Sequence, residues 1–527
     1  MNRASGNRFS QATASGAATL LLLALTTPGK SLAADASAQT AARPDPAAWL
    51  FEPSTVKPTP NGQSLATAGF AAISAGDQSL AAEKLTAALG VGDMPPDQAR
   101  TVRLALSDVL AKLGRPADSA ALLAPLAGEQ SYDVQARRAF ALDASGQRAA
   151  AVEAFAAAEP LGRDPDARLL MAKGRIYALV SLDRKVDALA AISVLAQAGA
   201  LPGKDAVELA YIAVMAHDDA LAERLFEHAY RQHQLSGAAA LDAGFTARRA
   251  RHEAQALAYF RTGLATLPPP PTPADAQTRF QIEREVAELS RRWGAYASIF
   301  YDNTSSIAAA LPQSGRGNVQ AGFEAYYRPL GYNAGRPIEL FVRGFETLSS
   351  RRGDPIGADT LQGWAGARVK PFAGQNLVLE ASRMFKVGRV ARDDWMLRAG
   401  YSASTGLDIR QDRSSWPMGQ IYADAAQLLD AKETFLSLEG RAGQSFRVGA
   451  RGRTIIAPFI GLTVAYDSAQ ATPTAVGIGP GLWLRPWFRA ENHGAPASYV
   501  DLVVQYRTRI GGDRRAEGFQ ATVSVSY

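Results

Sequence analysis

The second half of the chain alternates between apolar and polar residues, segment after segment, up to the C-terminus. In the last segment, GFQATVSVSY (518–527), every second residue is apolar and the chain stops on an aromatic residue. Successive side chains of a β-strand point to opposite faces, so this alternation predicts strands with one apolar and one polar face. The apolar parity of the last segment consists of Phe519, Ala521, Val523, Val525 and Tyr527.

Alternation and turn residues divide the second half into a series of candidate strands. A strand of roughly 9–11 residues is long enough to cross a bilayer when it is tilted. Most of the candidates reach this length, so they are compatible with membrane strands joined by short and long connections. The twelve candidates are 295–303, 317–328, 338–347, 360–371, 375–386, 393–403, 418–428, 432–446, 453–466, 475–489, 498–510 and 515–527.

The N-terminus predicts export of the chain. Arg3 and Arg8 precede an apolar run over 17–25, and small residues follow up to Ala34, which is the pattern of a secretory signal peptide. No later stretch reaches about 18 consecutive apolar residues, so the sequence predicts no transmembrane helix. Strands can cross lipid only when they close into a barrel. We therefore predict an outer-membrane barrel of 12 to 14 antiparallel strands, with a soluble β-sandwich or propeller as the alternative.

The first half has a different pattern, in which alanine and leucine recur at helical spacing over residues 64–267. A repeat of about 34 residues emerges when six turn positions are aligned, namely Gly76, Gly114, Gly146, Asp183, His217 and Arg251. A bulky apolar residue follows each turn nine positions later, namely Leu85, Leu123, Phe155, Ile192, Phe226 and Phe260. The period and the small residues between the helices resemble the tetratricopeptide repeat. Such repeats stack into an α-solenoid that provides a binding or spacing surface.

The predicted organisation is therefore α + β in separate domains. The proline tract at 268–273 predicts an extended spacer, and one more amphipathic helix follows with Phe280, Val286 and Leu289 on its apolar side. The predicted segments are a signal peptide (1–34), a flexible N-terminal segment (35–63), periplasmic tetratricopeptide-like repeats (64–267), a proline-rich linker with a connecting helix (268–294) and the C-terminal barrel (295–527).

Composition and motifs argue against a catalytic, metal or cofactor site. The chain has no cysteine, which excludes disulfides, thiolate metal sites and cysteine nucleophiles. The net charge of +6 is mild, so we predict no nucleic-acid partner. The histidines at 217, 228, 233 and 252 lack the spacing of a zinc motif, and the sequence contains no phosphate loop or nucleophile elbow. We predict no enzyme activity, no metal and no cofactor.

The polar parity of the barrel strands supplies candidate residues for the barrel interior. If the barrel is a conduit, these side chains would line its lumen and contact sugar hydroxyls. The competing interpretation is a structural polar network that fills a narrow, closed barrel. The predicted lumen-lining residues are Glu380, Arg398, Asp424, Glu439, Arg441, Asp501, Gln505 and Arg507.

Five stretches of the second half resemble a known family. They are GFEAYYRPLG (322–331), GARVKPFAGQNLVLEASRMFKVG (366–388), DDWMLRAGYS (393–402), GPGLWLRPWFR (479–489) and YVDLVVQYRTRIGG (499–512). Together they are similar to the C-terminal domain of the NfrA-like outer-membrane phage adsorption proteins. Helical repeats followed by a barrel are also the layout of the exopolysaccharide exporters PgaA and BcsC.

The resemblance implies an outer-membrane protein of a Gram-negative bacterium with its repeats in the periplasm. Such a protein would export a surface exopolysaccharide beside an inner-membrane glycosyltransferase, and a phage could adsorb to its loops. The alternative is a non-conducting receptor or assembly scaffold that binds partners through its repeats and loops. In both cases we expect outer-membrane lipid and the barrel-assembly machinery as partners. The predicted assembly signal consists of Phe519, Val523, Val525 and Tyr527.

Overall fold

The computed structural model describes residues 61–199, 201–301, 317–350, 353–449, 452–489 and 495–527. The predicted signal peptide and nearly all of the predicted flexible segment lie outside the described residues. The chain divides into two compact units, of which the first ends at Gly128 and the second begins at Glu129.

The first unit contains two helical hairpins. Its helices are α1 (Gly62–Ser74), α2 (Gln78–Val91), α3 (Pro96–Lys112) and α4 (Pro116–Leu123). The side chains of Asn61 and Asp77 accept hydrogen bonds from the backbone in the first turns of α1 and α2, and such caps satisfy N–H groups that have no partner within a helix. Leu85 of α2 lies over Gly69 of α1, where an added Cβ would come within 2.5 Å of a leucine methyl. Glycine therefore permits the close packing of this hairpin.

The second unit begins with four more hairpins and a final single helix. They are α5 (Tyr132–Ala144), α6 (Arg148–Ala158), α7 (Pro165–Ser181), α8 (Lys185–Gln197), α9 (Gly203–Met215), α10 (Asp219–Arg231), α11 (Gly237–Arg249), α12 (Glu253–Thr266) and α13 (Pro273–Ser290). Aromatic pairs 15 residues apart recur in these hairpins, such as Tyr211 with Phe226 and Phe245 with Phe260, whose ring centroids lie 5.8 and 4.9 Å apart. The same packing thus recurs from one hairpin to the next.

The predicted repeat of paired helices is confirmed at its turns and in its core. All six predicted turn residues have a positive φ, between 57° for Asp183 and 81° for Gly76. The three that are not glycine, Asp183, His217 and Arg251, adopt a conformation that costs roughly 1–2 kcal/mol for an L-residue. The bulky residues nine positions after the turns are all fully buried. Packing of these side chains therefore stabilises hairpins whose turns are locally unfavourable.

The rest of the second unit is a closed antiparallel barrel in which each strand pairs with its neighbours in sequence and β1 pairs with β12. This confirms the twelve predicted strands and the predicted fold class. The strands are β1 (Trp293–Tyr301), β2 (Val319–Tyr327), β3 (Ile338–Ser349), β4 (Gln362–Val369), β5 (Asn376–Lys386), β6 (Asp394–Thr405), β7 (Ser415–Leu428), β8 (Thr434–Val448), β9 (Thr454–Asp467), β10 (Thr474–Phe488), β11 (Ser498–Gly512) and β12 (Gly518–Ser526).

The outer surface of the barrel is apolar and exposed. Ile460 at the middle of β9 is 54% exposed, and Leu397 and Leu438 are exposed in the same way on β6 and β8. Exposed aromatic residues lie near both ends of the strands. At the end where β1 begins, which we call the helix-side end, they are Trp293, Tyr327, Phe372, Tyr401, Phe446, Phe488 and Tyr527. At the opposite end, the far end, they are Phe385, Trp395, Tyr506 and Phe519.

Helix α13 joins the repeats to the barrel through side chains on two of its faces. Ile282, Val286 and Leu289 belong to the apolar core of the helical hairpins, whereas Phe280 packs into an apolar cluster inside the barrel. The predicted apolar side of this helix is confirmed, although it serves two cores rather than one. Every helix that the structure describes is too short or too polar to be a membrane span.

Candidate functional site

An alternating chain of carboxylates and guanidinium groups crosses the interior of the barrel from α13 to β7. We call these nine residues the charge ladder. In order of contact they are Glu288, Arg328, Glu339, Arg368, Glu324, Arg343, Glu380, Arg398 and Asp424. Each arginine lies between two carboxylates, so the ladder is a continuous network of charge-assisted hydrogen bonds.

The middle of the ladder is almost completely removed from solvent. Arg343 is 4% exposed and Glu380 is 5% exposed. The guanidinium of Arg343 lies 2.7 Å from Glu324 and 3.1 Å from Glu380, and Arg398 lies 3.2 Å from Glu380. Buried charges are tolerated when they are paired and hydrogen-bonded. The geometry therefore describes a satisfied network rather than a row of open binding groups.

A second polar cluster occupies the other side of the interior. Both carboxylate oxygens of Asp501 accept hydrogen bonds from Arg485, at 2.6 and 2.7 Å, and the indole N–H of Trp483 donates to the same carboxylate at 2.6 Å. The side-chain amide of Gln505 donates to two backbone carbonyl oxygens, of Gly461 and Gly479. Two inward polar residues of β11 are thus held by neighbouring strands.

Apolar side chains fill the interior above and below the charged groups. One cluster lies toward the far end and includes Phe341, Trp364, Met384, Met396 and Phe435. The other lies toward the helix-side end and includes Phe280, Leu407, Trp416, Phe459 and Trp483. The inward parity of the strands is therefore a mixture of charged, aromatic and sulfur-containing residues.

Helix α13 and the β6–β7 connection cover part of the helix-side end. Arg284 of α13 lies 3.2 Å from Asp408 of that connection, and its guanidinium lies over the Trp487 ring at 4.5 Å. The Arg284 side chain also donates to the backbone oxygen of Pro496 at 2.9 Å. These contacts hold Phe280 inside the barrel.

The β2–β3 connection fastens the repeats to the same rim. The backbone N–H groups of Asn333 and Ala334 both donate to the carboxylate of Glu253 on α12, and Tyr332 packs against the core of the hairpins. Asn333 and Ala334 both have a positive φ, 49° and 54°. Consecutive N–H groups in such a conformation form a concave anion site, here occupied by a side chain of the protein itself.

A cavity of about 340 Å³ remains at the helix-side end, between α13, the β2–β3 connection and strands β3 to β7. Six ladder residues contribute to its lining, together with Tyr332, Lys370, Asn376 and Tyr422. Burial alone would raise the pKa of Glu288 at its edge, but the guanidinium groups of Arg328, Arg291 and Arg284 together outweigh that effect and the net shift is downward. Glu288 is therefore a carboxylate over the whole neutral range.

All eight residues predicted for the lumen lie on the inward parity of their strands. Glu380, Arg398 and Asp424 belong to the charge ladder, and Asp501 and Gln505 to the second polar cluster. Glu439 pairs with Arg441 at 2.9 Å, and Arg507 is fully buried. Four ladder residues were not among the predicted lumen-lining residues, although the alternation of their strands places each of them inside as well. They are Glu324, Glu339, Arg343 and Arg368. Contact with a sugar chain stays a prediction for all of these residues.

The residues of the predicted assembly signal lie on the outer surface at the seam between the first and last strands. Phe519, Val523, Val525 and Tyr527 are all exposed. Tyr527 exchanges two backbone hydrogen bonds with Ala295, at 2.8 and 3.2 Å, and its ring lies 5.7 Å from that of Trp293. The terminal residue therefore contributes directly to barrel closure.

The hairpins of the second unit carry their own polar contacts between successive repeats. The phenol of Tyr211 donates to Asp242 at 2.8 Å, and the phenol of Tyr177 donates to Glu208. Each acid lies 31 residues after its tyrosine, and the two pairs lie one repeat apart. Burial is the main cause that raises the pKa of both tyrosines, so both phenols stay protonated. Two histidine side chains of this region also have partners, because His228 contacts the backbone oxygen of Leu201 and His252 contacts Glu223.

Comparisons with known proteins concern the two halves separately. A tetratricopeptide repeat protein from Parabacteroides merdae is 14% identical, with 43% of this chain and 88% of that chain covered and a TM-score of 0.30. A MamA structure (MSR-1 C2) is 17% identical, with 32% and 95% covered and a TM-score of 0.26. These scores are too low to support an argument.

No curated protein matches the chain. Residues 353–523 match the family model NfrA_C, described as bacteriophage N adsorption protein A C-term, and this match confirms the resemblance for most of the barrel.

Proposed function

We propose that this chain is an outer-membrane protein whose barrel is a filled, non-conducting anchor for a periplasmic repeat scaffold. The observation that carries the proposal is the distribution of polarity, because apolar residues are exposed outside the barrel while charged residues are buried inside it. An apolar band bordered by two aromatic girdles is the surface that transmembrane barrels present to lipid. In water, the same surface would favour aggregation.

The contents of the barrel support a receptor or scaffold rather than an open pore. The charge ladder, the second polar cluster and the two apolar clusters all contribute side chains to the interior. Partners would therefore bind at the repeats in the periplasm and at the far-end loops outside, where a phage could adsorb. Insertion would require the barrel-assembly machinery, and the proposal includes no enzyme activity.

The first test combines cell fractionation, electrophoresis and conductance. We expect the protein in the outer-membrane fraction, with a faster mobility on gels before boiling than after it. Purified protein in planar bilayers should give no stable channel. Recovery in the soluble periplasmic fraction would contradict the membrane placement. Regular single-channel steps would contradict only the proposal that the barrel is filled and non-conducting, and not the membrane placement.

Exopolysaccharide export is the second candidate, and the cavity at the helix-side end favours it. In this case α13 would be a removable cover, held by Arg284 through Asp408 and Trp487. Arg284→Glu places two like charges together and should produce a conductance that the unaltered protein lacks. Arg168→Glu, on the exposed surface of α7, is the matched charge reversal and should leave the barrel closed. If neither variant conducts, the result argues against an export path beneath α13.

A further inference from the structure

Most of the charged residues that line the helix-side cavity already have ion-pair partners. Six of them belong to the charge ladder, where they pair with one another and with Glu324, Arg343 and Asp424, and the seventh is Lys370. The cations are Arg328, Arg368, Lys370 and Arg398, and the carboxylates are Glu288, Glu339 and Glu380.

Within the described part of the chain, one of the lining cations has no carboxylate partner. Glu288 and Glu339 both pair with Arg328 at 2.8 Å, and Glu380 pairs with Arg398 at 3.2 Å. Among the residues that the structure describes, Lys370 pairs with no carboxylate. Its ammonium group is therefore the lining cation that is available to a ligand. An ammonium group supplies three donors and no acceptor.

The remainder of the lining suits a small polar molecule. Asn376, Ser402 and Tyr422 add neutral donors and acceptors, and the volume of about 340 Å³ lies within the range of small-molecule sites. We propose that this cavity binds a polar carboxylate monoanion, with Lys370 as the partner of its charge. One carboxylate gives the unpaired ammonium group a charge-assisted partner, whereas the second charge of a dianion would find no further unpaired cation in the described lining of this partly buried site.

The position of the cavity gives the proposed site a second property. Glu288 belongs to α13, and the other charged lining residues belong to the barrel strands or to the β2–β3 and β4–β5 connections, so an occupant would touch both the helix and the barrel. Binding would therefore stabilise the docked position of α13, because a ligand that binds one state favours that state. The proposal does not depend on whether the barrel conducts.

Isothermal titration calorimetry of the full-length protein in detergent tests this inference. D-glucuronate and D-glucose are the probes, because they differ only in the carboxylate at one carbon. We expect glucuronate to bind at least about tenfold more tightly than glucose, as expected for one charged hydrogen-bonding contact. Lys370→Gln should lower glucuronate affinity to the level of glucose, and Lys370→Arg should retain most of it.

Lys432→Gln is the matched control, since Lys432 lies in the β7–β8 connection at the far end. This variant should bind glucuronate like the unaltered protein. Equal binding of the two sugars, no binding of either, or an equal loss in Lys432→Gln overturns the proposal. Heat-dependent gel mobility shows whether each variant is folded, and if Lys370→Gln is not folded, loss of binding by folded Lys370→Arg decides against the site.

Discussion

The core of the helical hairpins and the interior of the barrel are buried to the same degree but differ in chemistry. Phe226 and Phe260 are fully buried among apolar neighbours, whereas Arg343 and Glu380 are 4% and 5% exposed and belong to an ion-pair network. Helices that face water place their apolar side inward. Strands whose apolar face is turned outward leave polar side chains for the interior.

The comparison shows that burial alone does not predict what a substitution costs. In the hairpins, a lost or added group changes packing, and the cost depends on cavities and overlaps. In the barrel interior, removal of one charged side chain leaves its partner charged and unpaired. The resulting destabilisation is larger than the stabilisation that the intact pair contributes. Three substitutions and one change of pH test this difference, from the largest expected effect to the smallest.

Arg343→Met should have the largest effect, because it leaves Glu324 and Glu380 without their shared guanidinium. We expect the free energy of unfolding of the barrel to fall by about 3–5 kcal/mol, measured by urea titration in lipid vesicles with tryptophan fluorescence. Arg383→Met is the control, because Arg383 pairs with the exposed Asp393 and should contribute only about 0–1 kcal/mol. Equal losses would show that burial of the ladder has no energetic consequence.

Ile460→Arg tests the outer surface. If the middle of β9 faces lipid, the substitution should destabilise the barrel by about 2–4 kcal/mol, in the same urea titration. Val387→Arg is the control, since Val387 is 60% exposed in the β5–β6 connection and should tolerate a charge. A tolerated arginine at 460 would contradict the membrane placement.

Gly244→Ala tests packing in the hairpins, because its Cβ would lie 2.6 Å from the Phe260 ring. We expect a loss of about 1–3 kcal/mol, measured by thermal unfolding with circular dichroism. Gly90→Ala is the matched change, since no atom lies within 4 Å of its added Cβ. Alanine should stabilise α2 there by up to about 1 kcal/mol. If both variants change the unfolding temperature equally, packing against Phe260 is not the cause of the loss.

Acidification tests the contact between α13 and the barrel. Because Arg328 holds the pKa of Glu288 below its ordinary value of 4.5, this contact is stabilising above that ordinary value and is lost as the pH falls through the lowered one. Limited proteolysis after α13 should therefore accelerate in the unaltered protein as the pH falls from that ordinary value through the lowered pKa. In Glu288→Gln this additional pH dependence should be absent, and an identical pH profile would exclude Glu288 as its cause.

Local features of the fold could be predicted because each depends on a few neighbouring residues. Asp183, His217 and Arg251 take the turn positions that the glycines take in other repeats. Their position was visible from the spacing to a bulky residue. The strands were predictable for the same reason, because alternation needs no knowledge of the partner strand.

The contents of the barrel could be predicted only in part. Parity places Glu380 and Arg398 inside, and in the register of β5 and β6 these two residues lie opposite each other. Arg343 reaches Glu380 from β3, across β4, and a contact between non-adjacent strands depends on side-chain length and barrel shape. Trp364 and Met384 are apolar residues on the inward parity, so hydrophobicity alone does not identify the inward face.

Helix α13 has a mechanical consequence. Since Phe280 lies among barrel residues while Ile282, Val286 and Leu289 lie in the core of the hairpins, a force applied to the hairpins would reach the barrel through this helix as well as through the contact of Glu253 with the β2–β3 connection. The barrel is closed by twelve strands and resists deformation, so the load would fall on these two attachments, which include the contacts around Phe280 and Arg284. A partner that pulls on the repeats could thus move a side chain inside the barrel wall without touching the barrel itself.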